Sequence, residues 1–303
     1  MSYIQTLRPD FLIIGVQRGG TTWLSAILNA HPNIACFPTT YFNPQKKDPG
    51  ELHFFNTIAS VEEPDRPFAR PFDDFFSKYG GRYADIAPFK NAISCDELYR
   101  IFVKRYSDIC EKERGGKDVV GETTPAYVLF LDWIDRFYPK IKKLCVLRDS
   151  KDRIVSWYFK KNIKEGGGEN MRVTNDFALN YLRGRIMREY EALLSYNEQI
   201  LCVTYESLQH NPIPIVRNIV EYLGFSHTAN VLRHMVKDAS FEKQTKRNDG
   251  VQRKAGEENN KSSMRKGITG DWKNYMSYDL ADTIDREIHD LEKRVFKKYN
   301  ITM

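Results

Sequence analysis

Short apolar runs alternate with amphipathic segments along much of the chain. The apolar runs lie at 11–14, 118–121, 143–147 and 200–205, and the segments with helical spacing follow at 23–28, 131–137, 149–161 and 212–224. Continuous apolar runs are typical of strands buried on both faces, which occur in parallel sheets. The alternation therefore predicts an α/β fold, a single domain over 1–303 with a central parallel sheet flanked by helices. Ligands are expected beyond the carboxyl ends of the strands.

The remaining segments carry weaker patterns. Apolar spacing predicts a helix over 95–110, a long polar helix over 174–195 and an amphipathic helix at the carboxyl end. Residues 60–92 contain prolines and aromatic residues without a clear period, so we expect irregular structure there with a short helix near 72–79. Residues 237–266 are rich in Lys, Arg, Asn and Glu. That composition predicts a mobile lid segment within the domain.

A glycine turn joins the first predicted strand to the first predicted helix. Gly19 and Gly20 follow Arg18, and the helix then begins with Thr21 and Thr22. Glycines let backbone amides converge on an anion, and a helix N-terminus adds unpaired donors and the positive end of its dipole. The turn resembles the phosphate loop of nucleotide-binding proteins, but Thr21 stands where that motif has lysine. A glycine pair alone is as often a simple turn; Arg18 and the two threonines favour an anion site.

Composition limits the possible partners and location. The 303 residues include 46 Lys plus Arg and 40 Asp plus Glu, a net charge of +6. This excess suits an anionic cofactor and gives little support for nucleic-acid binding. The first ten residues have no apolar signal region, and nowhere do eighteen apolar residues occur in a row. We therefore expect no membrane span and a cytoplasmic protein, unless a leader or anchor has been removed.

Three separated stretches resemble sulfotransferases that use 3′-phosphoadenosine 5′-phosphosulfate (PAPS). Residues 17–23 are similar to the family's 5′-phosphosulfate loop, and 146–158 to its 3′-phosphate strand and helix. The third stretch, Arg-Lys-Gly-x-x-Gly-Asp-Trp-Lys-Asn at 265–274, resembles its carboxyl-terminal signature. Their order and separation together identify the chain as a suspected member of this family, with a phosphate-loop-like fold.

The resemblance implies roles for individual residues. It assigns the 5′-phosphosulfate to Arg18, Gly19, Gly20, Thr21 and Thr22. It assigns the 3′-phosphate to Arg148, Ser156, Arg265, Lys266 and Gly267. Trp23 and Tyr205 would contact adenine, although packing in the core is an equally common role for such aromatic residues. PAPS would be the sulfuryl donor and 3′-phosphoadenosine 5′-phosphate (PAP) the product, and the family requires no metal.

Residues 51–55, Glu-Leu-His-Phe-Phe, resemble the segment that carries the catalytic glutamate in heparan sulfate-type sulfotransferases. Glu51 is therefore the candidate base, which would take a proton from the acceptor as it attacks sulfur in line. His53 is the alternative base, since cytosolic sulfotransferases use a histidine. Arg18 would stabilise the charge that develops on the departing phosphate.

Features of two subgroups are combined in this chain. Residues 122–125, Glu-Thr-Thr-Pro, are similar to a heparan-type stretch that usually has lysine at position 123, whereas the signature near Arg265 is closer to the cytosolic group. The acceptor is consequently left open: a hydroxyl, or less readily an amine, of a small molecule or a saccharide. Two alternatives also remain at this point, a nucleotide kinase or other phosphotransferase, and a non-catalytic protein that binds nucleotides or sulfated glycans. The sequence does not predict an oligomeric state.

Overall fold

The computed structural model describes residues 9–37, 51–70, 94–162, 171–260, 262 and 264–301. The strands are β1 (Phe11–Gly15), β2 (Ile34–Phe37), β3 (Val119–Thr123), β4 (Lys142–Leu147) and β5 (Leu201–Thr204). The helices are α1 (Thr21–Asn29), α2 (Phe54–Glu62), α3 (Cys95–Arg114), α4 (Leu131–Phe137), α5 (Ser150–Asn162), α6 (Asn175–Tyr181), α7 (Met187–Ser195), α8 (Tyr205–His210), α9 (Pro212–Leu223), α10 (Ala229–Asp238), α11 (Phe241–Asp249) and α12 (Tyr278–Lys298). Short 3₁₀ turns cover Pro125–Leu129 and Asp271–Asn274, and a π-helical turn, Leu182–Ile186, joins α6 to α7.

The strands form one parallel sheet with the order β2-β3-β1-β4-β5. β1 lies at the centre, paired with β3 on one side and β4 on the other. A strand in this position needs apolar side chains on both faces, because successive residues point to opposite sides of a sheet. Leu12 and Ile14 pack into one buried core, whereas Phe11 and Ile13 pack into the other. This explains the unbroken apolar run of β1.

The predicted α/β class and central parallel sheet are confirmed, and the four predicted strands are present. Among the elements that were not predicted are β2 and α2. β2 is a fifth strand of only four residues, and it follows α1. α2 begins directly after His53, where no helix was predicted. The helix predicted near 72–79 lies outside the described residues.

The expected helix over 174–195 is present, interrupted by the π-helical turn. The expected lid segment, 237–266, contains α11, which was not predicted. Beyond α11, the buried side chain of Arg253 donates hydrogen bonds to the carbonyls of Glu257, Met264 and Arg265. The segment therefore has local order, and its movement as a lid stays a prediction.

The carboxyl ends of the parallel strands meet at one edge of the sheet. Arg18 follows β1, Arg148 follows β4, and Tyr205 follows β5. The residues that the sequence analysis assigned to anion binding thus lie at the edge where parallel sheets bind ligands. In the parts of the chain that the structure describes, no helix is long and apolar enough to cross a membrane.

We predict that Gly121→Ala destabilises the sheet. Gly121 pairs with Phe11, and a Cβ added to Gly121 would lie 2.1 Å from the Phe11 ring. Overpacking of this kind costs about 1–3 kcal/mol, because neighbours must leave their preferred positions. Urea unfolding should show the loss. Gly184→Ala is the control, since its Cβ would meet nothing within 4 Å; equal stability of both variants would contradict the expected clash.

Candidate active site

The glycine turn after β1 leads into α1 without a capping side chain. Gly20 is the N-cap residue of α1 and has φ +100°, a left-handed conformation that glycine adopts without strain. A Cβ at this position would lie 2.5 Å from the ring of Tyr205. The amide of Gly19 already donates to the carbonyl of Val16, at 2.8 Å. Gly19 therefore shapes the turn, and the first amides of α1, at Thr21 and Thr22, are those left for an anion.

Two buried ionic side chains clamp the backbone of Gln17. Its carbonyl accepts a hydrogen bond from Nε of Arg153, at 3.0 Å, and its amide donates to Oε1 of Glu189, at 3.2 Å. Arg153 and Glu189 are fully buried and form an ion pair with each other, and Arg185 donates to the same carboxylate at 2.5 Å. The sequence analysis missed this clamp. Its only local signal was a run of charged residues at 151–153 just before an apolar stripe.

Arg18 connects the turn to α5. It has φ +66°, an uncommon value for a residue with a side chain, and its Nε donates to Oγ of Ser156 at 2.9 Å. The structure thus brings together two residues from different predicted subsites. Because its neighbour Gln17 is clamped from both sides, the direction in which Arg18 leaves the turn is defined by the buried ion pair.

A second cationic group lies beside the turn, around Arg148. The guanidinium group of Arg148 lies over the ring of Tyr205, 4.4 Å from its centroid, and Tyr205 meets Trp23 edge to face at 5.4 Å. One nitrogen of Arg148 donates to the carbonyl of Ile268, at 3.1 Å. Its Nε is buried and has no hydrogen-bond partner among the described residues. A partly exposed cation with an unused donor next to two aromatic rings suits a nucleotide phosphate.

The carboxyl-terminal signature is held against α5 by Asp152. Both oxygens of this buried carboxylate accept backbone hydrogen bonds, from Gly270 at 2.8 Å and from Trp272 at 3.0 Å. Nε2 of Gln209 donates to the carbonyl of Gly267, at 2.7 Å. The sequence analysis did not identify Asp152, although it lies in the matched helix. Its contacts place Gly267 and its neighbours on the side of Arg148.

Arg265 and Lys266 share an internal counterion. Both form ion pairs with the buried carboxylate of Asp271, and the Lys266 contact measures 2.8 Å. Burial alone would raise the pKa of Asp271, but the hydrogen bond from Lys266 and the nearby Arg265 lower it. Asp271 is therefore ionised at neutral pH, and an incoming phosphate must share these two cations with it.

Glu51 and His53 lie together at the start of α2. Nε2 of His53 is 3.2 Å from Oε2 of Glu51, and the Glu51 side chain is 40% exposed while that of His53 is 9% exposed. Burial raises the pKa of the Glu51 carboxyl, but the hydrogen bond with His53 and the charges of Arg70 and Arg18 outweigh it and lower the pKa. Glu51 is thus an ionised carboxylate within electrostatic reach of Arg18.

Glu122 is a further carboxyl group on this side of the sheet, and it is fully buried at the end of β3. It accepts hydrogen bonds from Tyr106, at 2.7 Å, and from the hydroxyl of Thr124. Burial raises its pKa to about 7, and the negative charge of Glu51 adds to the rise. The sequence analysis noted residues 122–125 only as a subgroup feature and gave Glu122 no role.

The geometry separates two regions of the site. The turn, Arg148, Tyr205 and the signature form one continuous cationic surface, whereas Glu51 and His53 approach Arg18 from α2. Among the described residues, no group of three or more His, Cys, Asp or Glu could hold a metal ion.

A family model described as "Sulfotransferase domain" matches residues 8–112 and 129–299. The chain belongs to the PAPS-dependent sulfotransferase family. This confirms the resemblance on which the donor-site assignments were based. The family's reaction is transfer of a sulfuryl group from PAPS, and the chain is an enzyme of this class.

The sulfotransferase matches some relatives over most of their length and others over about half of it. It is 28% identical to cytosolic sulfotransferase 17 of Arabidopsis thaliana over 92% of this chain and 73% of that protein. It is 28% identical to flavonol 3-sulfotransferase of Flaveria bidentis over 49% of this chain, but spans only 54% of that protein. A mouse sulfotransferase solved with PAP has the same fold, with 15% identity, a TM-score of 0.54 and coverage of 93% of this chain and 84% of that one.

We predict a pH-dependent effect of Glu122→Gln on the stability of this sulfotransferase. The pKa of about 7 in the folded protein exceeds the ordinary value near 4.3, so Glu122 contributes stability at low pH that is lost as pH rises through about 7. Glutamine does not titrate. The melting temperature of the variant relative to the wild type should therefore rise between pH 5 and pH 8.

Glu287→Gln serves as the control for this titration. Its carboxyl is paired with Arg183 and has a lowered pKa, so it stays ionised from pH 5 to pH 8. Its difference from the wild type should be constant over this range. A constant difference for Glu122→Gln as well would show that the buried carboxyl is already ionised at pH 5.

Proposed function

We propose that this sulfotransferase transfers the sulfuryl group of PAPS to a hydroxyl group, or less readily an amine, of a small-molecule or saccharide acceptor in the cytoplasm. The observation that carries the proposal is the cationic surface formed by the turn after β1, Arg148 and the signature. It includes a buried guanidinium nitrogen of Arg148 without a partner in the described structure. That surface fits a ligand with phosphates at two positions and an aromatic base between them.

Different donor-site residues contact different parts of the ligand in this proposal. In our proposal the 5′-phosphosulfate contacts Arg18, Gly20 and the first amides of α1, with Gly19 shaping the turn. Arg148, Ser156 and the signature residues Arg265, Lys266 and Gly267 receive the 3′-phosphate. Guanidinium groups and a lysine suit a dianion because they make charge-assisted hydrogen bonds. Tyr205 and Trp23 provide aromatic surface for adenine.

Glu51 is the proposed base. It is the more exposed member of its pair with His53, and its lowered pKa keeps it ionised and able to accept a proton. Arg18 would stabilise the charge on the departing phosphate oxygen. Buried His53 holds the Glu51 carboxylate by a hydrogen bond, and it is the alternative base if Glu51 proves dispensable.

Two observations support the proposed classes of acceptor. One relative is a flavonol sulfotransferase, which supports a small hydroxylated molecule as the acceptor. The segment that carries Glu51 resembles the heparan-type group and supports a saccharide. We further propose that the chain acts as one domain and that residues 237–266 close over the 3′-phosphate as a lid.

Calorimetric titration with PAP, adenosine 5′-monophosphate (AMP) and ATP tests the donor site. PAP and AMP differ only in the 3′-phosphate. We expect PAP to bind far more tightly than AMP or ATP, and Arg148→Ala to weaken PAP by about 10- to 100-fold, the range expected for a charged hydrogen bond, with little effect on AMP.

Arg183→Ala is the matched control, because it removes one positive charge from an exposed ion pair with Glu287. It should leave the affinity for PAP unchanged. Equal losses of PAP and AMP in Arg148→Ala would contradict the 3′-phosphate assignment. Binding of ATP as tight as that of PAP would favour a nucleotide kinase instead.

Glu51→Gln tests the base. The variant keeps the shape of the side chain and removes proton acceptance, so turnover of labelled PAPS should fall by about 10²- to 10⁴-fold. The dissociation constant for PAP should change less than about threefold, because the acid does not hold the nucleotide. Turnover is measured with the best acceptor from a panel of phenols, sugars and amines.

An unchanged rate in Glu51→Gln would transfer the role of base to His53, for which His53→Asn is the corresponding variant. Glu287→Gln controls for the loss of a carboxylate elsewhere. If wild-type protein bound PAP and turned over no PAPS, a non-catalytic binding protein would be the better reading.

A further inference from the structure

The buried carboxyl group of Glu122 takes no part in the proposed transfer, yet it lies close to the base. It belongs to residues 113–128, which lie between the two ranges that the family model matches. The negative charge of Glu51 helps to raise the pKa of Glu122, so the two carboxyl groups interact electrostatically. Burial of a carboxyl group costs free energy, which hydrogen bonds offset.

The surroundings of Glu122 include the turn that carries the base. The Glu122 carboxyl group accepts hydrogen bonds from Tyr106 and Thr124, and it interacts electrostatically with Tyr127. The Tyr127 hydroxyl accepts a hydrogen bond from the backbone amide of Phe54, at 2.8 Å. Phe54 is the first residue of α2 and directly follows His53. Tyr127 therefore connects the surroundings of Glu122 to the turn at 51–54.

That turn is strained. His53 has φ +55° and ψ +31°, a left-handed conformation that is unfavourable for a residue with a side chain. Such a conformation persists only where surrounding contacts hold it. The carbonyl of His53 is held within α2, where it accepts from the amide and the hydroxyl of Thr57, both at 3.0 Å. On the side of the following peptide, the Tyr127 hydroxyl holds the amide of Phe54.

We propose that Tyr127 is a positioning residue that keeps the turn at 51–54 in its strained form and so directs the Glu51 carboxylate toward the acceptor. The proposal rests on the proposed function, because it assigns a role in the same transfer. Tyr127 touches neither donor nor acceptor in this scheme. It acts on the rate through the backbone of Phe54.

Electrostatics agrees with this arrangement. The phenol of Tyr127 is buried, and its pKa is raised far above the ordinary range by burial and by the charge of Glu122. It therefore keeps its proton at all physiological pH values. The lone pairs of the neutral phenol oxygen accept the hydrogen bond from the amide of Phe54.

Tyr106 provides a matched control. Like Tyr127, it is buried, interacts with Glu122 and packs on a phenylalanine of α2: its ring stacks on Phe54 at 4.0 Å, and that of Tyr127 meets Phe55 at 4.8 Å. Among the described residues, the amide of Phe54 donates to the hydroxyl of Tyr127 and not to that of Tyr106. Tyr127→Phe and Tyr106→Phe thus remove the same atom from similar surroundings and differ in the link to the turn.

The test compares full-length wild type, Tyr127→Phe and Tyr106→Phe in three measurements. These are the PAP dissociation constant, the melting temperature, and the kcat and KM for release of PAP from PAPS with the best panel acceptor or with water as the nucleophile. We expect Tyr127→Phe to lower kcat at least tenfold with an unchanged PAP constant, and Tyr106→Phe to keep kcat within about twofold. Hydrogen exchange in the peptide around Phe54 should be faster only in Tyr127→Phe.

Equal kcat values for the two variants, or losses that follow only the melting temperature, would overturn the positioning role. Unchanged exchange at Phe54 together with a lowered kcat would overturn the proposed path through the backbone. Failure of the proposed function gives a different result, since the wild type itself would then release no PAP from PAPS while still binding PAP.

Discussion

The buried ion pair between Arg153 and Glu189 is the constraint on which the geometry of the site depends. It holds both backbone groups of Gln17, so the turn after β1 has a defined path before any ligand arrives. Two helices distant in sequence, α5 and α7, supply the two charges. Removing Glu189 would leave Arg153 as an uncompensated buried charge, a cost of about 3–5 kcal/mol. The Arg153–Glu189 ion pair therefore affects both the stability of the protein and the shape of the anion site.

Buried carboxylate side chains hold much of the site in place. Asp152 holds the signature against α5, Asp271 pairs with its cations, and Glu122 accepts hydrogen bonds from Tyr106 and Thr124. Each of these acids is buried and each makes several hydrogen bonds, as buried charges require. The cations that would bind the donor are thus held in place by buried carboxylates. Unlike these three acids, Glu51 is substantially exposed, and it is ionised.

The position of the candidate donor-site residues in the fold could be predicted because they are adjacent in sequence to clear elements. Arg18, Gly20 and Thr21 lie within one strand–turn–helix unit, and Arg148 follows a clear apolar run. Their roles in binding the donor stay predictions. The Gln17 clamp could not be predicted, since Arg153 and Glu189 are 36 residues apart and meet only after α5 and α7 pack. β2 was missed because four apolar residues between prolines give too short a pattern. α2 was missed because its buried face is nearly continuous, so it lacks the alternation of an amphipathic helix.

The pairing of Arg265 and Lys266 with Asp271 has a consequence for selectivity among anions. Both cations already pair with the Asp271 carboxylate, which is part of the chain and cannot diffuse away. A free sulfate or phosphate ion must compete with this carboxylate, so it would gain little free energy by binding here. In the proposed binding mode a nucleotide differs from a free ion, because its base and 5′ group would hold the 3′-phosphate near these cations and raise its effective concentration there. The pairing with Asp271 would then favour binding of a nucleotide phosphate over binding of free inorganic anions.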